Sequence, residues 1–251
     1  MSSKWLERAL VSAALAAAAL MAQAAPVGAA LSRPTAVPSA SAPVPFVATY
    51  TIAWHGVPAG TSTLQLRQTA PQSYLYTSTD RASGVFRLAF PHPLRQSSRF
   101  RVTAGQVQPL AFQAGGAGND VLAQFDWKSD RVTGMAKGKL LDLKLQAGTQ
   151  DPLSVQIAIM LELLARDAPN GFWMLNTDEI DRFQYARQGE ATLDTPLGKL
   201  RTILYTSHQP GSNKTTYLWL APALNYMPAR AEQREKGSTK ISLQIEAFKP
   251  Q

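Results

Sequence analysis

The chain has 251 residues, no cysteine, and 25 basic against 17 acidic side chains, for a formal net charge of +8. Without cysteine it has no disulfide, no thiol nucleophile and no lipid-modified N-terminal cysteine. The positive balance either serves solubility alone or directs the protein toward anionic partners. At the start, Lys4 and Arg8 flank the beginning of an apolar run, Ala9 to Leu20, and Ala22-Gln23-Ala24 follows as a small-x-small cleavage pattern. Residues 1–24 are expected to be a cleaved secretory signal peptide. The apolar run is roughly a dozen residues, short of the about 20 needed to span a bilayer. The predicted location is the bacterial periplasm, without a lipoprotein anchor. Loss of the leader leaves 23 basic and 16 acidic residues, a net +7. In an exported protein the anions within reach are lipid headgroups, lipopolysaccharide and acidic polysaccharide, not nucleic acid. Residues 25–45 are Pro, Ala and Ser without apolar periodicity, the composition of a flexible tether. Residues 46–251 are left for a single β-rich domain.

That domain reads as short alternating runs broken by turn residues. Strands are predicted over 46–54, 61–69, 73–82, 95–103, 107–115, 121–128, 131–137 and 139–146. After one helical run, more follow over 171–177, 181–189, 199–207, 214–221, 229–236 and 239–248. "HGVPAG" at 55–60, "GGAGND" at 115–120 and the "KSDR" break read as turns. In the last strand Ile241, Leu243, Ile245 and Ala247 share one face, with Lys240, Ser242, Gln244 and Glu246 on the other. Such alternation means one dry and one wet face. The expected fold is mainly β: a curved antiparallel sheet or open half-barrel enclosing one principal α-helix at about residues 151–167.

The helix carries the functional question. Asp151 before Pro152 is a start signal, since a carboxylate at the N-cap accepts backbone N–H bonds and Pro fits the first turn. Leu153, Ile157, Met160, Leu161 and Leu164 form one broad face at 100° per residue, with Ile159 and Leu163 beside it. Glu162 and Arg166 stand four apart, as an ion pair would. A helix apolar nearly all round is buried, and in a β protein the place to bury it is the concave face of a curved sheet. Two readings stay open. The helix fills the concavity as core, or helix and sheet leave a gap that takes an apolar or amphipathic ligand. On the second reading Leu153, Ile157, Met160, Leu161, Leu164 and Trp173 line the site.

Catalytic motifs are sparse. There is no Gly-x-Ser-x-Gly, and His55, His92 and His208 sit apart without metal-site spacing. Neither a metal nor a cofactor is expected. Asp178, Glu179 and Asp181 cluster as glycosidase carboxylates do, though acidic residues are also ordinary in turns. Arg95, Arg99 and Arg101 share one parity of a predicted strand, with Arg81 and Arg87 upstream. They form either a wet outer face or an anion-binding row. Between Arg81 and Arg95, "GVFRLAFPHP" offers Phe86, Leu88 and Phe90 as an apolar patch beside the basic strip, a pairing that suits a lipid surface.

"YTIAWHGVPAGTSTLQL", "FDWKSDRVTG", "GTQDPLSV" and "YLWLAPALNYMPARAEQ", in that order, resemble the landmarks of an exported bacterial family known as domain of unknown function 3108. The resemblance covers about residues 46 to 248. It implies a periplasmic or envelope-associated β protein with no assigned activity. It also implies a shape similar to the open half-barrels of lipoprotein carriers, which hold acyl chains between sheet and helices, although this chain has one principal helix where carriers use more. The expected role is a non-enzymatic binding or envelope-assembly factor for an apolar or amphipathic ligand. The alternatives are a surface-acting scaffold with an envelope protein partner and, behind both, a carbohydrate-active enzyme.

Overall fold

A computed structural model of the chain describes residues 42–116, 120–165 and 168–251. The expected signal peptide, most of the tether, the middle of the 115–120 turn and Arg166 lie outside the described residues. The strands are β1 (Phe46–Trp54), β2 (Val57–Ala70), β3 (Ser73–Ala82), β4 (Leu94–Thr103), β5 (Gln106–Gly115), β6 (Val121–Asp126) and β7 (Arg131–Ala136). They continue with β8 (Lys139–Lys144), β9 (Gly171–Asn176), β10 (Glu179–Thr195), β11 (Gly198–His208), β12 (Lys214–Ala221), β13 (Met227–Glu235) and β14 (Ser238–Pro250). The α-helix α1 (Ser154–Leu164) falls between β8 and β9.

All strands belong to one 14-stranded antiparallel sheet in the order β8-β7-β6-β5-β4-β3-β2-β1-β14-β13-β12-β11-β10-β9. Successive strands are hairpin neighbours, and the pairing of β1 with β14 joins the two halves. The sheet is not closed by a β8–β9 ladder. It curls around α1, and period-2 alternation decides which side chains face inward. On β3, Tyr74, Tyr76 and Ser78 are buried while Ser73, Leu75, Thr77 and Thr79 are partly exposed. On β4, Leu94, Ser98, Phe100 and Val102 are buried and Arg95, Arg99 and Arg101 are exposed.

Two predicted patterns are corrected by bulges. In β14 the register shifts between Thr49 and Tyr50 of β1, where Ala247 and Ile245 are the partners. Glu246 is the extra residue, and the parity changes across it. Ala247 is therefore exposed, and Phe248 packs on the core in its place. β10 runs past its predicted end at Gly189 because a bulge at Gln188 lets the pairing with β11 resume and continue to Thr195.

α1 is buried along nearly its whole circumference, with Val155, Ile157, Ala158, Ile159, Met160, Leu161 and Leu163 all below a tenth exposed. Its start is built by Asp151. Asp151 O accepts the first helical bond from Val155 N (3.2 Å). Its Oδ1 accepts from Leu153 N (2.8 Å) and Ser154 N (2.9 Å). Ser154 Oγ returns the favour by accepting from Asp151 N (2.9 Å). These bonds satisfy donors that every helix start leaves open. The regular helix is shorter than the predicted 151–167 because Asp151 to Leu153 form its cap and first turn.

Candidate functional site

In a sheet made of hairpins, alternate turns gather at the same rim. The β1–β2 and β13–β14 turns and the β3–β4 connection share one rim, as bonds from His55 N to Lys240 O (2.9 Å) and from Ser83 N to Ala59 O (2.8 Å) show. α1 runs inside the curled sheet toward the opposite rim, with Leu153 and Gln156 at a hollow in the concave side and Leu164 at the far end. That hollow is a cavity of about 100 Å³. Its floor is Pro152, Leu153 and Gln156, and its apolar wall includes Ile52, Leu64, Leu218, Leu220 and Ile241.

The floor is pinned. Tyr50 donates its hydroxyl to Pro228 O (2.8 Å), and Tyr76 donates to Gln156 Oε1 (3.0 Å). Burial pushes both phenols well up from their ordinary pKa, so they stay neutral hydrogen-bonding groups. One side of the cavity is polar: Ser62, Ser78, Asp80 and Gln96, contributed by adjacent β2, β3 and β4. Ser62 lies opposite Asp80, and Ser78 opposite Gln96. Ser62 Oγ donates to Asp80 Oδ1 at 2.6 Å and Ser78 Oγ to the same oxygen at 3.1 Å. Burial raises the Asp80 pKa, and the two hydroxyl donors partly oppose it. With both bonds on Oδ1, Oδ2 is left to accept from a hydroxyl or ammonium in the cavity.

The β3–β4 connection caps the rim. Gly84–Leu88 forms a 3₁₀ turn, and Phe90 N bonds to Phe86 O (2.9 Å). Phe86, Phe90 and His92 cover a smaller hollow of about 20 Å³ that shares Ile52 and Asp80 with the main cavity. The cap and the cavity are therefore neighbours across two side chains.

The predicted apolar site is divided. Leu153 lines the main cavity. Ile157 is wholly buried in the core. Met160, Leu161 and Leu164 border a separate hollow of about 190 Å³ at the other rim, beside Phe46 and Phe248. Trp173 corrects the prediction outright: it points to the outer face, where Arg182 lies 5.7 Å over its ring. Its neighbour Phe172, paired with Phe183, points inward instead. Arg95, Arg99 and Arg101 lie exposed on the outer face of β4, away from the cavity. Asp178 sits on the rim paired with Lys137 Nζ (2.8 Å), and Asp181 accepts from Asn176 Nδ2 (2.9 Å). Among the described residues no group of three His, Asp or Glu is arranged to hold a metal ion.

Sequence reasoning missed Ser62, Ser78, Asp80 and Gln96. The available signal was the inward parity of β3, Tyr74-Tyr76-Ser78-Asp80, which turns from aromatic to polar as the strand approaches the capped rim.

An open antiparallel half-barrel that sheathes one helix and keeps a polar-edged cavity at the helix start defines the class. The chain belongs to the family described as "Protein of unknown function (DUF3108)", whose model matches residues 49–244. Comparison with curated proteins returns no match. Among solved structures it is similar to a beta-barrel-like protein of domain of unknown function DUF1849 from Brucella abortus. That match has 11% identity and a TM-score of 0.56, covering 83% of this chain and 98% of that one. It is also similar to a protein from Bacteroides fragilis described as exported, with a YmcC-like fold. Here the identity is 12% and the TM-score 0.42, with 81% of this chain and 95% of that one covered.

Proposed function

We propose that this is an exported, non-enzymatic binding protein that holds an apolar or amphipathic ligand between the concave sheet and the start of α1. The observation that carries the reading is the cavity of about 100 Å³. A water needs only about 10–15 Å³, so the space takes a run of methylenes. Its wall is mainly aliphatic, and its polar side holds one carboxyl, two hydroxyls and an amide. A ligand with an apolar chain and a hydrogen-bonding head matches that division. The predicted signal peptide at 1–24 puts such a ligand in the periplasm, among the amphiphiles of the envelope. A scaffold acting only through its surface predicts a filled interior, and the cavity favours the binding reading over it.

The test is native mass spectrometry of the mature protein with solvent extraction, joined to titration with a fluorescent fatty acid. Bound amphiphile or saturable uptake is expected. Ala231→Trp, which adds an indole to the cavity wall, is expected to lower uptake at least tenfold while the protein stays folded. Empty protein that takes up no probe, or uptake indifferent to a folded Ala231→Trp, rejects the reading.

A further inference from the structure

The seven ion pairs among the described residues all lie between Arg131 and Arg234, on β7 to β13 and their turns. The other side of the molecule is different in kind. From Phe46 to Asn119 the chain holds six arginines and a single acidic residue, Asp80. Asp80 faces the cavity, whereas Arg67, Arg81, Arg87, Arg95, Arg99 and Arg101 are exposed. None of the six takes part in an ion pair among the described residues, and Arg101 bonds only to the neutral Gln108 amide. A surface kept merely soluble mixes both signs of charge. This one presents unneutralised guanidinium groups over three adjacent strands and their cap.

The cap adds an apolar tip. Val85 is 74% and Leu88 89% exposed, and Val57 on the adjoining hairpin is 54% exposed. The tip is held in place. Phe86 in the same turn packs against Ile52, Ala59 and Ile241, and Ser83 N is bonded to Ala59 O. The turn is thus anchored by one aromatic while its two aliphatic neighbours stand in water. Arg81 is the last residue but one of β3, Arg87 lies within the turn and Arg95 is the second residue of β4, so three cations flank the tip along the chain. The nearest acidic residue along the chain beyond them, Asp120, accepts from Gly116 N in the next turn of the rim.

We propose that the Gly84–Leu88 cap and the arginine-bearing outer face of β2 to β4 dock on an anionic lipid bilayer. Val85 and Leu88 enter the headgroup layer, and Arg81, Arg87 and Arg95 engage the phosphates around them. Guanidinium forks suit phosphate oxygens, and shallow apolar insertion beside basic residues is the physics of interfacial binding. Charge complementarity selects an anionic surface over a neutral one. The docking does not depend on whether the cavity is loaded.

The experiment is cosedimentation of the mature protein with vesicles of phosphatidylcholine alone and of equal parts phosphatidylcholine and phosphatidylglycerol. Binding to the anionic vesicles only is expected, falling steeply as salt approaches 1 M, where charges are screened beyond about 3 Å. Each arginine is expected to contribute about fivefold, so the R81Q/R87Q/R95Q triple variant binds about a hundredfold more weakly. V85S/L88S is expected to weaken binding without changing the melting temperature, since both residues are exposed. R187Q/R201Q, on the ion-paired side, is expected to bind as the wild type does. No binding to anionic vesicles, equal binding to neutral ones, or undiminished binding by the triple variant overturns the proposal.

Discussion

Asp151 is a carboxylate on which burial and helix capping pull in opposite directions. It is fully buried and accepts hydrogen bonds from Leu153 N, Ser154 N and Ser98 Oγ, the last at 2.5 Å. Burial is the larger effect and raises its pKa to about 6 against an ordinary 3.8, with the hydrogen bonds partly offsetting it. A carboxyl raised in the folded state binds its proton more tightly there than in the unfolded chain. Its contribution to stability therefore falls as pH rises from about 4 to about 6, by roughly 3 kcal/mol in all. Below that window both states are protonated and the penalty is absent. Asp151→Asn keeps an acceptor for the helix N–H groups and removes the charge. In urea titrations it is expected to match the wild type near pH 4 and to exceed it by up to about 3 kcal/mol near pH 7. A difference between the two proteins that stays flat across that range shows that the carboxyl is not paying a burial penalty. The capping role of Asp151 was legible, because a carboxylate before Pro152 and an apolar run has a local meaning. The cavity role of Asp80 was not. "TSTD" is polar at both parities, so its inward face follows only from the parity of Tyr74 and Tyr76 upstream, and the curvature of the sheet decides that this face lines a cavity.

At the scale of elements, α1 fills the middle of an interior whose walls are the inward side chains of the strands. Its predicted uniform burial holds from Val155 to Leu161 but loosens at the end, where Leu164 is 36% exposed. Ile157 is wholly enclosed, and truncating it leaves a void that close-packed neighbours fill only in part. Ile157→Ala is expected to cost about 2–5 kcal/mol, and Leu164→Ala clearly less, by equilibrium denaturation. Equal costs at the two positions would mean that the lower hollow beside Met160 and Leu161 is as tightly packed as the middle of the helix. The strands were legible for a related reason: alternation is local, and all fourteen runs appear close to where it predicts them. The faces of particular residues were less so. "GFWMLN" in β9 is continuously apolar, so its parity is undetermined until β10 supplies Phe183 opposite Phe172 and Arg182 opposite Trp173.

For the whole molecule the issue is how a 14-stranded sheet with two edges avoids exposing them. An open edge presents unpaired N–H and C=O groups, and here β8 and β9 are the edges. The segment between β8 and α1 crosses the seam. Gln150 N donates to Trp173 O (2.8 Å) and Leu175 N donates to Gln150 O (2.9 Å), a single parallel bridge on the edge of β9. The Gln150 side chain reaches the other half, donating from Nε2 to Val107 O of β5 at 2.9 Å. At the capped rim Lys137 and Asp178 form an ion pair across the same seam, but both side chains are about half exposed. Neither contact was legible in the sequence, because each joins residues brought together only when the sheet curls. Their burial ranks them. An exposed pair contributes about 0–1 kcal/mol, whereas a buried hydrogen bond that leaves its partner unsatisfied when removed costs about 1–3. Gln150→Ala is therefore expected to lower the melting temperature more than Lys137→Ala, and to speed hydrogen exchange at the Leu175 amide. The unbonded Gln150 Oε1, removed by the same substitution, keeps the cost toward the lower end of that range. If Lys137→Ala proves the more damaging change, the seam is held at its rim by charge, and the barrel closes from the outside inward.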